Sequence, residues 1–161
     1  MSERSDEAGT RKSLREQPWS DDRPANGRIL VLSDNPISRS IAVIASAVGR
    51  TVLVEPADDG GPGLDPQPGD AVVLCDHDAP DAPAVLRAAL ASEASYVAMM
   101  ASRRRAAGLL DELAAEGVDV ASLHVPAGHD LGGKSPGEIA LSVVAEIVAE
   151  SHDRPGGPMR G

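Results

Sequence analysis

Phenylalanine is absent from this chain of 161 residues, and the other aromatics are one tryptophan, Trp19, and one tyrosine, Tyr96. Any core must therefore be aliphatic, which suits strands and helices packed in layers better than an aromatic-rich sandwich. Cysteine is limited to Cys75, so there is no intramolecular disulfide framework. Positive charge is in deficit: 15 Lys and Arg against 25 Asp and Glu give a formal charge of −10. That balance argues against non-specific nucleic-acid binding, which depends on neutralising phosphates. Long apolar runs are lacking too. No stretch approaches the ~18–20 residues of a membrane span, and the N-terminus has no signal-peptide core. The expectation is a cytoplasmic protein with neither a nucleic-acid nor a membrane partner.

What is present is 42% apolar residues, mostly Ala, Val, Leu and Ile, enough for one modest core in one domain. Residues 1–26 mix both charge signs with few apolar side chains and read as a disordered lead-in, with Trp19 touching the domain surface. Order is expected over residues 27–150, and the Gly/Pro-rich residues 151–161 read as a flexible tail. Within the domain, short apolar runs alternate with amphipathic stretches. Strands are predicted at 29–32, 51–55, 70–74, 96–100 and 122–125, and helices at 37–48, 80–91 and from Ser102 and Ser135 onward. Gly49 and Gly117 stop two of the helices. The segment 56–69, crowded with Gly, Pro and Asp, is a loop. Ser135-Pro136-Gly137-Glu138 starts a helix well, with Ser as N-cap, Pro at the first helical position and Glu three residues after the cap.

Such alternation predicts an α/β fold: a Rossmann-like, doubly wound parallel sheet of five or six strands in a three-layer αβα single domain, with strand order 3-2-1-4-5 as first choice. Ligands of such sheets lie beyond the carboxyl ends of the strands. That rule gathers Ser33–Asn35, Glu55, Cys75–Asp78, Ala101–Arg105 and Gly128–Asp130 along one crevice. Among these, Arg103, Arg104 and Arg105 stand out. A helix N-terminus carries partial positive charge, so each cation in its first turn is disfavoured by roughly 0.3–1 kcal/mol. An anion such as a phosphate over that turn would offset the cost; a solvated basic face is the bland alternative. Ser102, Arg103 and Arg104 are the predicted anion site, with Arg105 turned outward.

Other residues carry competing readings. Cys75 ends a buried strand and reads as an inert thiol, with a ligand or sulfur-relay role as the alternative. Asp76, His77 and Asp78 resemble metal donors, yet three neighbours in one short turn are expected not to face one ion, so they serve the turn and no metal site is predicted. Gly128, His129 and Asp130 belong to the crevice, where Asp130 either orients a ligand or bonds its own turn. His124 lies in a strand and reads as structural. There is no Ser-His-Asp spacing and no phosphate loop, so no catalytic residue is predicted.

Four motifs, in register from Asp70 to Glu150, resemble the C-terminal Rossmann domain of the XdhC/CoxI family, accessory factors for xanthine dehydrogenase and carbon monoxide dehydrogenase. They are His77-Asp78 after the third strand, Tyr96-Val97 leading to Ser102-Arg103-Arg104-Arg105, the Pro-x-Gly-x-Asp-x-Gly turn from Pro126 to Gly132, and the Ser-Pro-x-Glu-Ile-Ala run from Ser135. Proteins of that family are thought to bind the molybdenum cofactor, a phosphate-bearing pterin, to help its sulfuration and to pass it to the client enzyme.

The chain also departs from the pattern. Where the family carries Gly-x-Gly-His after strand one, Ser33, Asp34, Asn35 and Pro36 stand here, which argues against a dinucleotide in the usual pose. Ala101 replaces a glycine, His129 replaces a leucine, and the family's N-terminal domain has no counterpart in these residues.

The resemblance implies an accessory or maturation protein for a molybdenum hydroxylase, a binding protein more than an enzyme, with Ser102, Arg103, Arg104, His77, Gly128, His129 and Asp130 holding molybdenum cofactor or a related nucleotide. Two alternatives remain open: a degenerate Rossmann domain acting as an interaction or regulatory module, such as a homodimer through its aliphatic edge, and an NAD(P)-dependent oxidoreductase.

Overall fold

A computed structural model describes residues 27–55 and 65–160; the expectations for residues 1–26, including Trp19, and for residues 56–64 fall outside them. Five strands form one parallel sheet: β1 (Arg28–Leu32), β2 (Thr51–Glu55), β3 (Ala71–Leu74), β4 (Tyr96–Met99) and β5 (Leu123–His124). Four helices join them: α1 (Pro36–Ala47), α2 (Ala82–Ala91), α3 (Arg103–Ala115) and α4 (Pro136–Ser151). Among the described residues, no helix is long and apolar enough to cross a membrane.

Side-chain alternation sorts the core into two layers. Ile29, Val31, Ala71, Val73 and Ala98 face Ile41 and Ala45 of α1 and Val143, Val144 and Ile147 of α4. Leu30, Leu32, Val72, Leu74, Val97 and Met99 face Leu86 of α2 and Leu113 of α3. The sheet is thus covered on both sides, which is why β3 and β4 are apolar at nearly every position.

The strand order is β2-β1-β3-β4-β5, not 3-2-1-4-5. The physical reason lies in β3, which moves from the edge to a place between β1 and β4, and in β2, which is left as the edge. All four residues of β3 are buried, so it needs a strand on either side, and it pairs with both β1 and β4. In β2, Thr51 and Leu53 are exposed, as befits an edge. This correction moves the point where strand order reverses from β1/β4 to β1/β3, and the ligand crevice of an open parallel sheet moves with it.

The helix boundaries follow local chemistry. Ser102 accepts from the Arg105 amide at 3.2 Å and Ser135 from the Glu138 amide at 3.2 Å, so both are N-caps. Gly117, at φ 85°, ends α3 and lets the Val118 amide reach the Leu113 carbonyl at 3.1 Å. The end of α4 uses the same device with an aspartate. Asp153 sits at φ 54°, and the Arg154 amide returns to the Ala149 carbonyl at 2.9 Å, reversing the chain.

Candidate functional site

The turns at the carboxyl ends of β1, β3, β4 and β5 enclose a cleft of about 580 Å³. Asn35, Cys75, Asp76, His77, Ala101, Ser102, His129 and Asp130 line it, all drawn from the crevice expected in the sequence. The other residues of that expectation lie outside the lining or outside the described residues. Ser33 is buried away from the cleft. Asp34 pairs with Arg39 at 2.9 Å beside a separate depression, and the Glu55 side chain lies outside the described residues. Asp78 is not in the wall.

The arginines are also outside the wall. Ser102 lines the cleft, but Arg103, Arg104 and Arg105 are exposed on the first turn of α3. The helix turns Ala106 and Leu113 to the core, which leaves its first three side chains outside. None forms an ion pair among the described residues. The cation that does line the cleft is Lys134, with Leu131, Gly132 and Gly133 beside it. Lys134 is not among the site residues expected from the sequence. It immediately precedes the Ser135 cap, a placement that marks it as part of the carboxyl-end rim.

The turn after β1 keeps a glycine's backbone with other side chains. Ser33 has φ 82°, the left-handed region that glycine enters freely, and its buried hydroxyl has no hydrogen-bond partner. Asn35 then fills the helix start. Its Oδ1 accepts from the amides of Ile37 and Ser38, both at 3.0 Å, while the Ser38 hydroxyl accepts from the Asn35 amide at 2.8 Å. These are the amides that a pyrophosphate would use at a helix N-terminus. Asn35 Nδ2 also donates across the switch point to the Cys75 carbonyl at 3.2 Å, joining the β1 and β3 turns.

In the β3 turn, Asp76 Oδ1 accepts from the Asp78 amide at 3.0 Å, and His77 Nε2 lies 3.3 Å from Asp78 Oδ1. One donor atom from each of Asp76, His77 and Asp78 falls within 4.8 Å of the others, so neighbours in this turn do converge, contrary to expectation. Their closeness follows from the turn's own bonding, and both acids are exposed. Burial pushes the Cys75 thiol up to about 12, so this cleft residue is a neutral thiol at physiological pH.

Behind the cleft lies a polar cluster that the sequence reading missed. Tyr96 donates its hydroxyl to Glu146 Oε1, and the same oxygen accepts from the Gly128 amide at 3.1 Å. His124 stacks on Tyr96 with ring centroids 4.5 Å apart and places Nδ1 3.5 Å from that oxygen. Burial, reinforced by the Glu146 carboxylate, raises the Tyr96 pKa well above the usual tyrosine range. The missed signal was an acid three residues after Val143 on the buried face of α4, opposite a lone tyrosine that needs a partner. Gly128 is therefore a support rather than a wall residue. At φ 99°, any Cβ there would lie 2.4 Å from Ser142 Oγ. The neighbouring His129 amide donates to the Ser142 carbonyl at 3.1 Å, which anchors the His129 backbone at the rim.

Fold and cleft together define a doubly wound domain with an open cleft at its switch point. Residues 29–147 match the family model of the XdhC Rossmann domain, and the chain belongs to that family. Over 68 residues it is 40% identical to the uncharacterized protein YqeB of Escherichia coli (strain K12), a stretch covering 40% of this chain and 13% of YqeB. A crystal structure described as a xanthine dehydrogenase from Bacillus halodurans has the same fold, with a TM-score of 0.66 at 21% identity. That match covers 80% of this chain and 44% of the other. The chain thus spans less than half the length of either relative.

Proposed function

We propose that this domain serves the maturation of a molybdenum hydroxylase in the cytoplasm by holding the molybdenum cofactor, as a binding protein rather than an enzyme. The observation that carries the reading is the cleft at the β1/β3 switch point of an XdhC-family domain, beside a helix start already filled by Asn35. A volume of about 580 Å³ falls in the range of small-molecule sites, roughly 300–1,000 Å³. The donor set suits a phosphorylated pterin. Asp76 and Asp130 can accept from pterin N–H groups, His77 and Ser102 can bond its polar edges, and Lys134 supplies a cation. A phosphate extending past Ser102 meets the first turn of α3, where Arg103 and Arg104 are exposed. When bound, the cofactor supplies the metal centre that the client enzyme uses. The residues of this chain bind it, orient it and shield one face, with Cys75 as a neutral wall rather than a sulfur carrier.

Purified protein, oxidised to convert any bound pterin to its fluorescent form, should yield pterin in amounts approaching one per chain after expression in cells that make the cofactor. No pterin from such cells, together with no uptake on titration, would refute the reading. A second reading, a protein-interaction module, draws on the edge strand β2, where Leu53 is 41% exposed. It predicts a self-associating protein without pterin, and sedimentation of wild type and Leu53→Lys separates the two.

A further inference from the structure

His129 lines the cleft, yet its Nε2 is buried without a hydrogen-bond partner. The group that covers it comes from the far end of the described chain. After α4, the reversal at Asp153 and Arg154 sends the backbone back over the rim, where Gly156 packs directly on the imidazole. A Cβ on Gly156 would lie 2.3 Å from Nε2 and 2.9 Å from Cε1, and Gly156 has φ 82°. Glycine is required there on two counts, backbone conformation and space. Gly157 next to it has open space around it and no such requirement.

We infer that the segment from His152 to Gly157 is a strap that masks the His129 imidazole, and that its displacement opens Nε2 to a polar or anionic group bound in the cleft. The residues of the strap are all exposed, so little apolar burial holds it down. Covering Nε2 costs a hydrogen bond that the imidazole would otherwise make to water. The closed state thus has a weak hold and an unsatisfied group beneath it, and a ligand able to bond Nε2 favours opening by its own differential affinity. The inference concerns access to one rim nitrogen and stands whether or not the ligand is a pterin.

Diethyl pyrocarbonate labelling of the full chain, with each histidine read by peptide mass spectrometry, tests it. In the wild-type protein His129 should react more slowly than His77. In Gly156→Val the strap cannot seat, and His129 labelling should rise about tenfold, in proportion to the open population. Labelling of His77 should stay constant and so report an intact fold, and Gly157→Ala should behave as wild type. Wild-type His129 reacting as fast as His77, or His129 staying protected in Gly156→Val, would overturn the inference.

Discussion

The hydroxyl of Tyr96, at the start of β4, donates to the carboxylate of Glu146, in the second half of α4, and the same oxygen holds the Gly128 amide. One acid thereby fixes the turn that carries His129 relative to the sheet. Tyr96→Phe should cost about 1.5–3 kcal/mol, the loss of one hydrogen bond to a charged acceptor. Glu146→Leu should cost more, about 2–4 kcal/mol, because it strands two donors in a poorly solvated site. Urea midpoints of the two variants check the order. Equal effects would show that the Gly128 amide contributes nothing.

Stability should fall on the alkaline side. Cys75 and Tyr96 both have folded pKa values raised above their ordinary values of 9.0 and 10.0, chiefly by burial. A raised value means that the unfolded chain loses its proton first, so the stabilisation is complete below pH 9 and declines as pH rises toward 12 and beyond. Thermal unfolding at pH 7, 9 and 10.5 should show a falling midpoint, and Cys75→Ala should lessen the fall. Native Cys75 should also resist alkylation at pH 8 until denaturant is added.

On the acid side the responsible group is Asp70. Burial works to raise its pKa, but the Arg28 guanidinium and the amides of Gln67 and Arg28 outweigh it, and the net shift is downward. Its carboxylate accepts from the Arg28 amide at 2.8 Å and the Gln67 amide at 2.9 Å. The stabilisation is present above pH 3.8, the ordinary aspartate value, and is lost as pH falls through the lower folded value. Asp70→Ala should cost about 2–4 kcal/mol at neutral pH, through two orphaned amides and a broken ion pair. Asp70 lies at the end of β3 away from the cleft, so ligand binding by the folded variant should be unchanged. A loss of binding would contradict that separation.

The occupied start of α1 gives a prediction about dinucleotides. With Asn35 Oδ1 on the amides of Ile37 and Ser38, NAD and NADP should show no binding below millimolar concentration by titration. Ser33→Gly removes a left-handed non-glycine residue and should stabilise by about 1 kcal/mol. Asn35→Ala should destabilise by about 1 kcal/mol through loss of the cap. Micromolar binding of either nucleotide to the wild type would defeat this account of the turn.

Much of the fold was legible in the sequence because each element carries its own signal. The buried runs of β1, β3 and β4, the caps Ser102 and Ser135, and the stops at Gly49 and Gly117 are local. The strand order was partly legible. The uninterrupted apolar Ala71–Leu74 and the exposed alternation of β2 distinguish an interior strand from an edge, but the default topology overrode that evidence. At the site, the carboxyl-end rule found Asn35, His77, Ser102, His129 and Asp130 because topology alone places turns. It does not reach the side chains of Arg103 and Arg104, because which way a side chain leaves a helix depends on the face that the core claims, here that of Ala106 and Leu113. Glu146 and the cover of Gly156 over His129 join residues far apart in sequence, and no local pattern marks such contacts.

The central claim is that the switch-point cleft holds a phosphorylated pterin, with its phosphate toward Ser102 and the arginines. Calorimetric titration of molybdopterin into wild type, Lys134→Ala, Arg103→Ala and Arg104→Ala tests it most directly. The wild type should bind with one site per chain. Each lost charge-assisted contact is worth about 1.5–3 kcal/mol, so Lys134→Ala and at least one arginine variant should weaken binding roughly tenfold or more without loss of fold. A wild type that gives no heat of binding, or four proteins with the same affinity, would contradict it.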